Sequence, residues 1–232
     1  MANYKASLKK PFLDFKLLLI GILISILPIV RWIAKGYFLE ASGLTKSKIP
    51  LGKLPSWNDY GSLFFKGLFV TLIKIIYFLP AIILLLAGAF PLISRFLSTV
   101  FNNLSELGLG QLLIEDITKE VLTFLGSLWG YIINAPYLVI IVVFLIILAL
   151  YLFPLAVLNY VKEDRFANAF NLKLIFKKAF TGRYFAARVF VALIFVVLSL
   201  LLNWIKILGP ATVFYITGVI SYSLFGQVYK GI

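Results

Sequence analysis

The chain has 232 residues, 62% of them hydrophobic and only 13% charged, and 22 Lys and Arg stand against 9 Asp and Glu for a net charge of +13. That is far from the roughly half apolar, one-quarter charged make-up of a soluble domain, and it excludes a disordered chain and a nucleic-acid-binding domain. With no Cys and no His, a disulfide scaffold and haem, zinc, iron–sulfur, thiol and imidazole chemistry are closed off, and neither a cofactor nor a metal is expected.

The composition is that of an integral membrane protein. The expected fold is all-α, a single polytopic transmembrane bundle over residues 1–232 with about five spans, four at the fewest and six at the most. A helix needs about 20 apolar residues to cross the hydrocarbon core. The first apolar segment, Leu17 to Val30, has only 14. Lys5, Lys9, Lys10 and Lys16 precede it, and Arg31, Lys35, Lys46, Lys48 and Lys53 follow. It is either a re-entrant hairpin broken near Leu27-Pro28 or a true span whose N-terminal lysines are translocated. No small-residue cleavage site follows the apolar stretch, so the segment is expected to stay in place.

Spans are then predicted at about 64–89, 136–160, 184–206 and 211–229. Pro80 and Pro154 fall inside the first two, where each removes a backbone hydrogen bond and kinks the helix. The uncharged run from Val121 to Val161 is too long for one span and is predicted to break at Asn134-Ala135-Pro136. Gly209-Pro210 predicts a tight antiparallel hairpin of the last two spans. The connection at 161–183 carries six cations against two acids, whereas the one at 90–135 carries two against four. The positive-inside rule places the first, with the C-terminus, on the cytoplasmic side of the plasma membrane and the second outside. Two interfacial amphipathic helices are expected. One lies in the external segment around Leu112–Phe124, and the other runs from Arg165 to Phe180 with Phe166, Phe170, Leu174 and Ile175 turned inward.

In the loop before the second span, Ser56 stands three residues ahead of Asp59, as in a capping box, and Trp57 and Tyr60 are expected at the membrane interface. Gly36-Tyr37, this loop, and the start of the next span together read Gly36, Tyr37, Pro55, Trp57, Asp59, Tyr60, Gly61, Gly67 and Leu68. The pattern resembles an archaeal and bacterial membrane family known as domain of unknown function 4013. The resemblance extends over most of the chain and implies a multi-pass topology, but no activity. A further regularity is a shared plan of residues 17–89 and 136–206, with 90–135 as an external insertion. It is either an internal repeat of the kind found in transporters or the hydropathy that any two helical hairpins in a bilayer share.

Lys74 is the outlier among the charges, about 12 Å deeper along its helix than Lys66, which can snorkel. An ammonium at that depth costs at least a few kcal/mol unless something meets it. No acid occurs in the expected spans, so Lys74, Tyr77, Asn159 and Asn203 form the candidate substrate-binding set, although the two asparagines also suit packing between helices. Arg165, Lys173, Lys177, Lys178 and Arg183 are candidates for anionic lipid headgroups, or else serve as topology signals alone. Three functional classes stand, a membrane-embedded enzyme being the weakest of them. One is transport or lipid and amphiphile handling; another is a structural or assembly component of a membrane complex, with a homo- or hetero-oligomer as its setting. The lipid bilayer and anionic lipids are the expected partners, and nucleic acid is not. No paired carboxylates or nucleophile motif mark an enzyme, so no catalytic residue is assigned. Because the chain has no native Cys, Glu115→Cys and Lys177→Cys placed singly are expected to label from opposite sides of the membrane; labelling from one side would overturn this topology.

Overall fold

The computed structural model describes residues 2–107, 119, 121–123, 126–127, 130 and 136–231. Among them every regular element is helical: α1 (Tyr4–Lys9), a 3-10 turn at Lys10–Phe12, α2 (Phe15–Ile26), α3 (Arg31–Ala41), α4 (Tyr60–Leu107), α5 (Pro136–Glu163), a second 3-10 turn at Phe166–Phe170, α6 (Leu172–Ala179), α7 (Gly182–Leu202) and α8 (Leu208–Gly231). The chain packs as two compact units, residues 1–76 with 150–232 and residues 77–149. Among the described residues four stretches are long and apolar enough to cross a membrane: Tyr60–Pro91, Pro136–Glu163, Gly182–Leu202 and Leu208–Gly231. The predicted break at Asn134-Ala135-Pro136 falls at the edge of the described residues, since 131–135 lie outside them. Glu115, Asp116, Glu120 and most of the external amphipathic segment fall outside the described residues.

The last helix organises the first unit. In α8, 61% of the most apolar stretch is buried, against 11 to 28% in the other three. It packs on α7, α2, α3 and α1. Small residues make this possible: a Cβ at Gly218 would stand 2.3 Å from the Phe38 ring, and one at Gly226 would stand 2.1 Å from the Ser42 carbonyl oxygen. Glycines let helices approach where lipid, being as apolar as the side chains, offers no hydrophobic drive.

The α7–α8 hairpin is antiparallel, with Arg183 Nη1 donating to the Gly231 carbonyl at 3.1 Å. Its turn is displaced from the expected place. Helix α7 ends at Leu202 with Asn203 as C-cap, and α8 begins at Leu208. Pro210 therefore lies in the first turn of α8, where a missing N–H goes unmissed. Gly209 admits the Leu202 carbonyl, which a Cβ would meet at 1.9 Å.

For the first apolar segment the structure takes the hairpin. Helix α2 has 12 residues, about 18 Å of rise, short of a hydrocarbon core of about 30 Å. The chain reverses through Leu27–Val30, and α3 returns far enough for Lys10 Nζ to donate to the Ala41 carbonyl at 2.8 Å. Residues 17–35 thus double back, whereas 136–160, matched to them in the repeat reading, lie in one helix. Gly43, in the left-handed region at φ +67, ends α3, and Lys230 Nζ donates to its carbonyl at 2.9 Å. Two lysines so cap carbonyls at a helix C-terminus, where the dipole also favours cations. Burial, and then the neighbouring Lys230, lower the Lys10 ammonium to about 8.

These contacts gather both termini at one end of the first unit. The Asn3 N–H donates to Gln227 Oε1 at 2.7 Å, and Lys46 pairs with Asp164 at 2.6 Å. Close approach is tightest between α3 and α4: a Cβ at Gly67 would lie 1.7 Å from the Trp32 carbonyl oxygen, and one at Gly36 would lie 1.9 Å from that of Leu63. Gly67→Ala is expected to cost about 1–3 kcal/mol through forced separation of the two helices. Gly52→Ala, with nothing within 4 Å of the added methyl, should leave the thermal midpoint of the detergent-solubilised protein unchanged.

Candidate functional site

In the first unit, α3, α4, α5, α7 and α8 enclose a partly open cavity of about 290 Å3. Its polar lining comprises Lys35, Lys74, Arg188, Thr217, Ser221 and Tyr222; Phe38, Val70, Phe153, Phe195, Phe214 and Phe225 are among its apolar walls. Among the described residues no carboxylate lines it, and Lys35, Lys74 and Arg188 bring three positive charges. Helical spacing places these groups. Lys35 and Phe38 are three apart on α3, Val70 and Lys74 four apart on α4, and Thr217 and Ser221 four apart on α8, each pair sharing a helix face.

Arg188 owes its position to a proline. Pro154 in α5 has no N–H, which leaves the carbonyl four residues earlier, that of Leu150, without its helical donor. Arg188 Nη2 donates to that carbonyl at 3.0 Å, and the guanidinium carbon sits 5.7 Å from the Phe225 ring centroid. A guanidinium has five N–H donors, and the bond to Leu150 uses one of them. Lys35 Nζ donates to Thr71 Oγ1 at 2.8 Å and lies within electrostatic reach of Lys74 and Arg31. The Thr217 hydroxyl is buried and has no partner among the described residues.

Of the four candidates read from the sequence for a substrate site, only Lys74 lines this cavity. Tyr77 belongs to the second unit. Asn159 is 2% exposed; it accepts from the Tyr229 hydroxyl at 2.7 Å and donates to the Asn168 carbonyl at 2.5 Å. Asn203 is exposed at the end of α7. Asn159 thus ties α5 to α8 and to the 3-10 turn, and Asn203 stands at the C-cap of α7. The sequence reading put neither Lys35 nor Arg188 in the substrate-binding set. The signal was present: Arg188 lies about 9 Å inside an apolar helix, and Pro154 advertises a carbonyl in need of a donor.

The candidate lipid contacts also divide. Arg165, Lys173 and Lys177 are exposed. Lys178 instead turns inward, its Nζ 3.9 Å from the Tyr229 ring centroid and donating to the Tyr229 carbonyl at 3.1 Å. Arg183, exposed, is held on the Gly231 carbonyl. Phe166, Phe170 and Leu174 are half-buried and Ile175 is buried, matching the inward face expected for this segment.

The loop motif forms a packing knot beside the cavity. Trp57, 4% exposed, stacks on Tyr37 with ring centroids 3.9 Å apart and 9° between planes; it is in the core, not at the interface. Asp59 is the residue just before α4 and accepts from the Ser62 N–H at 3.0 Å, so it caps the helix itself and is not the third residue of a box begun by Ser56. Tyr60 is exposed, Gly61 follows it in the first turn, and Pro55 is buried in the approach to α4. A pair the sequence reading did not form joins α3 to α4 at the basic end: Lys66 bonds Glu40, which also accepts from Thr45 at 2.7 Å and from Ser47. Burial by itself would raise the Glu40 carboxyl; the bonds from Lys66, Ser47 and Thr45 outweigh it and hold the group below its ordinary 4.5. A depressed carboxyl contributes stability above its unfolded value and loses that contribution as pH falls through the folded value. On acidification below pH 4.5, the thermal midpoint of the wild-type protein should therefore fall more than that of Glu40→Gln.

No curated protein and no solved structure matches the chain. A family model described as a protein of unknown function (DUF4013) matches residues 19–207. That range takes in α3, the loop motif, Lys35, Lys74 and Arg188, and it covers well over half of the sequence. The chain belongs to the DUF4013 family.

Proposed function

We propose that this membrane protein handles an anionic amphiphile, as a transporter or lipid-handling protein. The head sits among Lys35, Lys74 and Arg188, and the tail leaves through the open side of the cavity past Phe195 and Leu150, which are 51% and 45% exposed. The observation that carries the reading is a lining of three cations and no carboxylate, set among helices long enough to cross a bilayer. Charges at membrane depth are costly and mark ligand pathways by default. An anion drawn into the cavity offsets that cost, and the aromatic walls suit the first methylenes of a chain. The reading is one of binding and movement, with no bond made or broken.

The basic end of the first unit faces the cytoplasm in this reading, because positive loops stay on that side. There α6 lies in the leaflet surface. Leu172 and Phe180, 50% and 73% exposed, enter the headgroup region, while Arg165, Lys173 and Lys177 meet anionic lipid at about 1 kcal/mol each. Lys178 and Arg183 serve the protein's own carbonyls instead.

Native mass spectrometry of protein released from nanodiscs of zwitterionic lipid doped with anionic lipid tests the site. Lys74→Leu and Arg188→Gln are each expected to lower retention of the anionic lipid about tenfold, the loss due to one charge-assisted hydrogen bond. Lys173→Gln, on the surface, should lower it far less. Equal retention in the wild type and both cavity variants would sink the lipid reading and leave the chain as a structural component.

A further inference from the structure

We infer that the cavity selects a phosphomonoester lipid headgroup over a phosphodiester one; the inference rests on the amphiphile reading above and specifies its head. Charge and valence both point this way. The three cations come from three separate elements, Lys35 from α3, Lys74 from α4 and Arg188 from α7. They converge on a space of about 290 Å3, at the small end of ligand pockets, which holds a compact head and not a bulky one. A phosphomonoester presents three terminal oxygens and, with a second pKa near 6, about two negative charges at neutral pH. A diester presents two unsubstituted oxygens and one charge, and a carboxylate likewise two oxygens and one charge. Three donors on three walls match one oxygen each, and three cations attract a dianion more strongly than a monoanion.

The remaining donors favour the same head. The Thr217 hydroxyl, buried without a partner among the described residues, and Tyr222 line the wall supplied by α8. Arg188 is anchored through one nitrogen to Leu150, which turns a flexible side chain into a fixed fork suited to phosphate. Among the described residues the titratable and charged groups facing the head are Lys35, Lys74, Arg188 and Tyr222, with Arg31 in electrostatic reach of Lys35. From α5 come Leu150, Phe153 and Pro154, none of which titrates. Nearby cations favour the dianion and lower its second pKa. Binding should therefore strengthen as pH rises from about 5 to about 7.5, across the second ionisation of the phosphate.

Wild-type protein in phosphatidylcholine nanodiscs doped with either phosphatidic acid, a monoester, or phosphatidylglycerol, a diester, gives the test without any variant. Phosphatidic acid is expected to be retained at least tenfold more strongly at about pH 7.5, and the preference should shrink severalfold at about pH 5, where the monoester keeps a single charge. Arg188→Gln and Lys35→Gln should each reduce the preference. Equal retention of the two lipids, with both lost in Lys74→Leu, would overturn the headgroup inference and leave the amphiphile reading standing. No loss of either lipid in Lys74→Leu would remove both. Excess inorganic phosphate supplies the head without the tail and is expected to leave phosphatidic acid in place; displacement by phosphate alone would assign the cavity to a soluble phosphate and overturn the lipid proposal.

Discussion

A bilayer supplies no water to backbone groups, so each carbonyl released by a kink, a turn or a helix end must find a donor inside the protein. In this chain six cations are among the donors to such carbonyls. Lys10 bonds the carbonyl of Ala41, Arg31 that of Ser25, Lys178 that of Tyr229, Arg183 that of Gly231, Arg188 that of Leu150 and Lys230 that of Gly43. Much of the positive excess is thus structural, which neither the topology signal nor lipid attraction accounts for. Two tyrosines extend the same rule, Tyr151 donating to the Ala179 carbonyl and Tyr184 to that of Tyr151. Removing such a donor strands a carbonyl and loosens two elements at once.

The constraint explains what the sequence revealed and what it concealed. Four long apolar helices among the described residues were legible because span length depends on each segment alone. Trp57 was misplaced at the interface because an amphipathic ring suits either a headgroup region or a stacked core. Only the arrival of Tyr37 from another helix decides between them. Lys178 was read as facing lipid because helical spacing does not disclose that Tyr229, 51 residues later, returns to lie beneath it. The hairpin of α2 and α3 was one of two open solutions, and the bond that closes it, from Lys10 to Ala41, joins residues whose proximity no local pattern encodes.

The candidate cavity was legible in one residue of its cationic three. Lys74 stood out because nothing excused its depth. Lys35 and Arg188 did not, because each is close enough to a helix end for snorkelling to explain it. What separates them from ordinary snorkelling side chains is a partner on another helix, Thr71 for Lys35 and the Leu150 carbonyl for Arg188. Such partners turn a side chain toward the interior where solvent-seeking alone would turn it outward.

Gly36, Tyr37 and Trp57, which carry the resemblance read from the sequence, do not line the cavity, yet they bear on its geometry. Lys35 precedes Gly36 and Tyr37, and those two are locked, Gly36 against the Leu63 backbone of α4 and Tyr37 against the Trp57 ring. With successive helical residues about 100° apart, fixing two neighbours fixes the direction in which Lys35 leaves the helix. On α4, Lys66, Val70 and Lys74 follow one another at intervals of four along one ridge. Holding Lys66 on Glu40 therefore sets the rotation of α4 and turns Lys74 toward the same space. The packing knot and the ion pair act as the positioning apparatus for two of the three cations, as the proline-released carbonyl does for the third. A change at Gly36, Trp57 or Glu40 touches no ligand, yet it would misdirect the ammonium groups by rotating the helices that carry them.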